Sequence, residues 1–280
     1  MMRKYLLYPC LLLLLSPPLH GQPIFDVHLH YTAADAEHFS AAEILAILEA
    51  NEVERAVVIG QPAELASALH RQAPERIVPF LGVYREREDK AGWPQDEGLP
   101  ERVEQALQAG HWRGLGELHL FAEERHSPVF RRLVALAAEY GLVMMIHGDP
   151  AVIDTLYDYA PQQPVIWAHA GAYPHPPLLA DYLARYPALY LDLSVRDGRI
   201  APSGELAQEW YELFEQYPQR ILLGVDTFSS NRWREFGRVI TATRQWLAQL
   251  PQDVTQKLAH DNARRLFSCH PGRGRDAASG

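Results

Sequence analysis

Cysteine is almost missing from this chain. Two occur among 280 residues, Cys10 and Cys269. Cys10 falls in an N-terminal apolar stretch with the layout of a leader. A mature chain would keep Cys269 alone and could form no internal disulfide, even in an oxidising compartment. Stability must then come from a packed core. Long apolar runs are missing too. The stretch Tyr5–Leu15 is too short to span a bilayer comfortably as a helix. It follows Arg3 and Lys4 and precedes Ser16, Pro17, Pro18 and Gly21, the order of a secretory signal peptide over residues 1–21. The expectation is export, to a periplasm, with no membrane attachment after cleavage; an uncleaved anchor is the alternative. Surplus positive charge is also absent. The formal net charge is −9, and loss of Arg3 and Lys4 with the leader takes it to −11. Nucleic-acid binding draws on phosphate neutralisation, so this balance argues against a nucleic-acid partner and for a small-molecule substrate. No Gly/Ser-rich linker and no repeat divides the rest. Residues 22–270 read as one domain, and 271–280 as a disordered tail. Oligomeric state leaves no signature.

Hydrophobic residues make up 48% of the chain and charged residues 22%, enough for a sizeable core. Eight short apolar runs alternate with amphipathic stretches: Ile24–His30, Arg55–Ile59, Ile77–Val83, Gly114–His119, Leu142–His147, Val165–His169, Leu189–Leu193 and Ile221–Val225. Continuous apolar runs of this length suit parallel strands covered on both faces. Helices are expected between them. Ser40 to Glu43 forms a capping-box pattern, Ser127-Pro128 a helix start, and Gly141 a stop. Further helices are expected over Pro62–Gln72, Glu101–Ala109, Ala151–Tyr159, Leu178–Tyr186, Gly204–Tyr217, Arg232–Leu250 and Asp261–Phe267, with a long loop over Arg85–Leu99. Eight strand–helix units in strict alternation predict an α/β fold, a single-domain (β/α)8 TIM-type barrel, with a doubly wound open sheet as the alternative.

Several runs end in a residue that can bind a metal. Asp26-Val27-His28-Leu29-His30 closes the first. Side chains two apart share a strand face, so Asp26, His28 and His30 should point into the barrel and Val27 and Leu29 outward. Glu117, His147, His169 and Asp226 each follow a later apolar run directly. In a barrel all of them would meet at the C-terminal mouth, where such folds hold their sites. One histidine after a strand is commonly structural. Six ligand-type residues on five strand ends are hard to assign to chance.

These pieces resemble the amidohydrolase superfamily, in its amidohydrolase-related branch and the TatD-like enzymes. The matching residues are Asp26 to His30, Gly116-Glu117, His147, His169-Ala170-Gly171, Gly224-Val225-Asp226 and the closing stretch Asp261 to Phe267. The resemblance implies a metal-dependent hydrolase acting on an ester, lactone or amide. His28, His30 and Asp226 would hold one divalent ion, and His147 and His169 a second, with Glu117 bridging. A hydroxide between the ions would attack, and catalytic Asp226 would shuttle its proton. Imidazole and carboxylate ligands suit zinc or a similar ion. One ion per chain is the other possibility, and Glu117 favours two. For Glu117, an ion pair with Arg113 or Arg125 is the structural alternative. Substrate contacts are expected from Arg196, Tyr173 and His119, with Arg125, Asp149 and His175 as further candidates, although a surface salt bridge would also account for Arg196. Two other readings stand: a mononuclear metal-dependent decarboxylase of the same branch, and a non-catalytic exported barrel that binds metal or ligand.

Overall fold

The computed structural model describes residues 21–86 and 88–270. The expected leader, apart from Gly21, and the expected tail lie outside the described residues. Eight strands are present: β1 (Ile24–Thr32), β2 (Val53–Gln61), β3 (Ile77–Leu81), β4 (Gly114–Leu120), β5 (Val143–Gly148), β6 (Val165–Trp167), β7 (Leu189–Asp192) and β8 (Ile221–Leu222). They lie in sequence order, each parallel to the next. Two backbone hydrogen bonds stitch the seam between β8 and β1. Val27 N–H donates to Leu223 O at 2.8 Å, and Asp226 N–H to His28 O at 2.7 Å. The expected (β/α)8 barrel is the fold.

Both strand faces are covered, which explains the unbroken apolar runs. On β2, Val57 and Ile59 face the barrel interior, while Ala56 and Val58 face the surrounding helices. The interior is filled by Phe25, Val27, Val78, Phe80, Met145 and Ile166 among others. Its floor is the C-terminal helix Asn262–Cys269, which puts Ala263, Leu266 and Phe267 into the same cluster. The Phe267 ring stacks on Phe25 at 5.5 Å and meets Phe80 edge-on at 5.8 Å.

The helix-start signals act as expected. Ser40 Oγ accepts from Glu43 N–H while Glu43 Oε2 accepts from Ser40 N–H, closing the capping box at helix Ala41–Ala50. Ser127 Oγ accepts from the N–H groups of Val129 and Phe130 at the start of Pro128–Glu139. Each such cap is worth about 1 kcal/mol.

Three expectations are corrected. Arg232–Leu250 is two helices, Ser230–Arg234 and Phe236–Leu247, because the backbone leaves helical geometry at Glu235 (φ −93°, ψ 3°). The helix expected from Gly204 begins at Gln208. The third correction concerns β1. Between the pairs Asp26↔Ala56 and Leu29↔Val58, β1 advances one residue more than β2, which is a bulge. Alternation changes phase across it: Phe25 and Val27 face the interior, Leu29 the helices. Val27 therefore does not point outward, and Asp26 does not share a face with His28 and His30.

Candidate metal centre

The bulge aims both β1 imidazoles at the mouth and turns Asp26 into the β1/β8 seam. There the Asp26 carboxylate accepts from the N–H groups of His28 (2.9 Å) and Val225 (3.2 Å). Burial pushes it up to about 8. It is a structural group that closes the seam.

Two later ligand candidates leave their strands through backbone that few side chains adopt. His169 has φ +58° and Asp226 φ +56°. Left-handed conformation at a non-glycine costs of order 1–3 kcal/mol, so the surroundings must enforce it. Two arginines do so. Arg196 donates from Nε to His169 O (2.7 Å) and from Nη2 to Gly171 O (3.0 Å). Arg232 donates from Nη2 to Val225 O (2.6 Å) and from Nε to Asp226 O (3.4 Å). Thr227 adds a third tie. Its Oγ1 accepts from His30 N–H and donates to His30 O, locking the loop after β8 onto β1. Close approach also explains two glycines of the motif. A Cβ on Gly116 (φ +133°) would lie 2.4 Å from Met145 O. One on Gly224 would lie 2.5 Å from Asp192 Oδ1 and 2.7 Å from His28 Cβ.

Held in this way, the six expected ligands converge. His28 Nε2 is 3.1 Å from His30 Nε2 and 3.5 Å from Glu117 Oε2. His30 Nε2 is 3.3 Å from the same Glu117 oxygen and 3.5 Å from Asp226 Oδ1, which lies 3.8 Å from His28 Nε2. Two atoms bound to one zinc in a tetrahedron, each at about 2.0–2.1 Å, sit about 3.3 Å apart. The second carboxylate oxygen of Glu117 faces the other pair. Oε1 is 2.9 Å from His147 Nδ1 and 3.2 Å from His169 Nε2. Asp226 Oδ2 lies 3.9 Å from His169 Nε2. The donor set fits divalent ions. It is all imidazole and carboxylate, and the buried Asp226 Oδ1 has no hydrogen-bond partner.

Electrostatics agree with that fit. Burial disfavours a charged ring at His28, but the carboxylates of Glu117, Asp226 and Asp192 outweigh it and hold His28 well above its ordinary value. Burial also works against a charged Glu117. The positive His28 and the hydrogen bonds of His147 and His169 prevail and hold Glu117 well below the usual carboxylate range. Without metal, the centre thus balances its carboxylates with protons, and a divalent ion would replace them.

Sequence reasoning missed the group that orients His28. Asp192, fully buried at the end of β7, accepts from His28 Nδ1 at 2.7 Å and from Ser194 Oγ at 2.5 Å. Its Oδ2 also accepts from His169 N–H at 3.2 Å. Ser194 Oγ lies 2.8 Å from His169 Nδ1. One carboxylate and one hydroxyl therefore fix rings from both halves of the centre. A carboxylate behind a ligand imidazole sets its tautomer and raises its basicity. Asp192→Asn should weaken metal affinity about 10- to 100-fold. Competition against a chromophoric chelator measures this, and unchanged affinity would remove Asp192 from the orienting role.

The remaining candidates separate. His119 joins the centre: its ring stacks on His147 at 4.4 Å, and its Nε2 is 3.7 Å from Glu117 Oε2. Burial pushes its imidazole down to about 3. Arg196 is bound to backbone carbonyls, as described. Tyr173 stands on the rim after β6, 72% exposed. Asp149 accepts from Ala122 N–H, and Arg125 donates to Ala122 O. His175 precedes helix Pro176–Arg185. Neither Arg113 nor Arg125 pairs with Glu117. Arg113 instead donates to Phe267 O at the floor.

Known proteins place this architecture. A family model described as amidohydrolase matches residues 25–268. Among solved structures, an amidohydrolase from Burkholderia multivorans with bound zinc is 15% identical, with a TM-score of 0.56 over 88% of this chain and 99% of that one. The TatD homologue YjjV of Escherichia coli is 18% identical, with a TM-score of 0.60 over 88% and 98%. Amidohydrolase 2 from Bifidobacterium longum subsp. infantis is 14% identical, with a TM-score of 0.53 over 89% and 99%. At these identities the likeness is one of fold. No curated protein matches. The family match spans nearly the whole described barrel, from the start of β1 into the floor helix, and the chain belongs to the amidohydrolase family.

Proposed function

We propose that this chain is a divalent-metal-dependent hydrolase that opens an ester, lactone or amide bond of a small molecule. One observation carries the reading. The two oxygens of Glu117 face separate imidazole pairs, His28/His30 through Oε2 and His147/His169 through Oε1. A carboxylate placed so is suited to bridge two ions, zinc or similar. Bound there, such ions would bring the pKa of water down to about 7 and polarise the substrate's carbonyl oxygen.

The chain's own residues supply the rest. His28, His30 and Asp226 would hold one ion, His147 and His169 the other, with Glu117 shared. Asp226 is placed for proton transfer. As a carboxylate it is acceptor-only, its Oδ1 is unpartnered, and its two oxygens look toward both imidazole pairs. The other Asp226 oxygen, Oδ2 on the His169 side, takes the proton of the attacking water and later returns it to the leaving oxygen or nitrogen. His119 and Tyr84 wall the mouth on the β3–β4 side, with the Tyr84 hydroxyl accepting from His119 N–H at 2.7 Å. The N-terminal pattern supports export as part of the same proposal.

Metal analysis of the purified protein tests the reading, followed by turnover of lactones, esters and amides with and without chelator. About two ions per chain and chelator-sensitive hydrolysis are expected. A single tightly held ion, with carbon dioxide released from a carboxylated substrate, would instead support the mononuclear decarboxylase. The shared position of Glu117 favours the first outcome.

A further inference from the structure

Among the described residues, one cation at the mouth pairs with no acid and takes no part in the metal ligation. Lys90 lies in the turn Asp89–Gly92 of the loop after β3. Its ammonium donates to His119 Nε2 at 3.4 Å, and Nζ lies 5.8 Å from the centre of the Tyr84 ring. That same His119 nitrogen is 3.7 Å from Glu117 Oε2. Lys90 therefore stands one imidazole away from the bridging carboxylate. Among the described residues it forms no salt bridge. The chain has only three lysines. Lys257 pairs with Asp253 at 2.8 Å, one helical turn away, and Lys4 lies outside the described residues.

Charge makes this placement informative. Once divalent ions occupy the centre, the charges of Glu117 and Asp226 are engaged by them. Lys90 then faces, across one ring, a centre whose carboxylates are taken up, and it has no acidic partner of its own among the described residues. A half-buried ammonium without a counter-ion favours an anion beside it. The other cations near the mouth are directed elsewhere. Arg196, Arg232 and Arg125 all donate to backbone carbonyls. Among the described residues Arg85, in the same loop, is paired with Asp89, and a single free ammonium matches one negative charge rather than a phosphate dianion, which favours several donors.

We propose that Lys90 binds a carboxylate on the substrate, so that the hydrolase acts on lactones or esters that carry a free acid near the bond being cleaved. This rests on the hydrolase reading above. The reaction adds water across the acyl–oxygen bond: a lactone opens to a hydroxy acid, an ester gives an acid and a separate alcohol, and the substrate's own carboxylate is kept.

The test compares the metal-loaded wild type with Lys90→Met and Lys90→Arg. The substrates are a γ-butyrolactone bearing a carboxylate on its γ-carbon and the methyl ester of that carboxylate, with opening of the lactone ring followed in both. Lys90→Met should lower kcat/KM for the acid about 10- to 100-fold, largely through KM, and leave the methyl ester nearly unchanged. Lys90→Arg should recover part of the loss. Calorimetric titration with hydroxyglutarate, the ring-opened product of that acid, is a second readout that needs no turnover. Its affinity should fall by a similar factor in Lys90→Met. Equal losses on acid and ester would make Lys90 a support for His119 and overturn the proposal. So would an unchanged acid preference, or wild-type protein that does not bind hydroxyglutarate. If neither lactone is opened but hydroxyglutarate binding still depends on Lys90, the hydrolase reading fails and the carboxylate site stands.

Discussion

Asp226→Asn should lower kcat about 10²- to 10⁴-fold on any substrate the protein turns over, with the barrel intact. The substitution separates chemistry from backbone. Residue 226 sits at φ +56°, and asparagine adopts left-handed backbone more readily than most residues. The clamp from Arg232 onto the Val225 and Asp226 carbonyls uses only main chain, so it survives. What is lost is a carboxylate oxygen able to accept a proton and release it again. Steady-state kinetics on metal-saturated protein, with circular dichroism as the folding control, measures the effect. Full turnover in a folded, metal-loaded variant would take the proton-transfer role away from Asp226.

Glu117→Gln should be the most damaging change to metal content. The glutamine amide has one acceptor oxygen and one NH2 donor. Whichever way it turns, one imidazole pair would face N–H groups where Glu117 offers an anionic oxygen. Occupancy should fall from about two ions per chain to one or none, and hydrolysis should fall with it. The metal-free protein is affected too. His28 is held above its ordinary value by three carboxylates, of which Glu117 is one. Elemental analysis after gel filtration reads the stoichiometry. Two ions retained in the variant would show that Glu117 does not bridge.

Much of this centre was legible because its parts stand at strand ends. Glu117, His147, His169 and Asp226 each interrupt an apolar run, and eight runs in alternation left few folds to consider. The fine structure was not legible, for local reasons. Strict alternation put Asp26 beside His28 and His30 on one face, and a bulge of one residue removed it. Nothing in Asp26 to His30 marks an inserted residue. The bulge shows only in the register against Ala56 and Val58. Asp192 reads as part of the apolar run Leu189–Leu193. An acidic residue between Leu191 and Leu193 was the available signal, since a carboxylate is rarely buried without partners. Its partner His28 is 164 residues away, and only the closed barrel brings them together. Lys90 was hidden in a charged loop, with neighbours that made it look like ordinary surface.

The floor helix Asn262–Cys269 gives the molecule the plan of a cul-de-sac. With Phe267 wedged against Phe25 and Phe80, nothing crosses the barrel along its axis. Whatever reaches the centre enters by the mouth at the C-terminal ends of the strands. That doorway carries Phe121, Tyr173, Val195 and Phe228 as its exposed large apolar side chains. The traffic thus passes a greasy threshold before reaching an ionic chamber. An approaching molecule meets apolar side chains first, and the imidazoles and carboxylates of the centre after them.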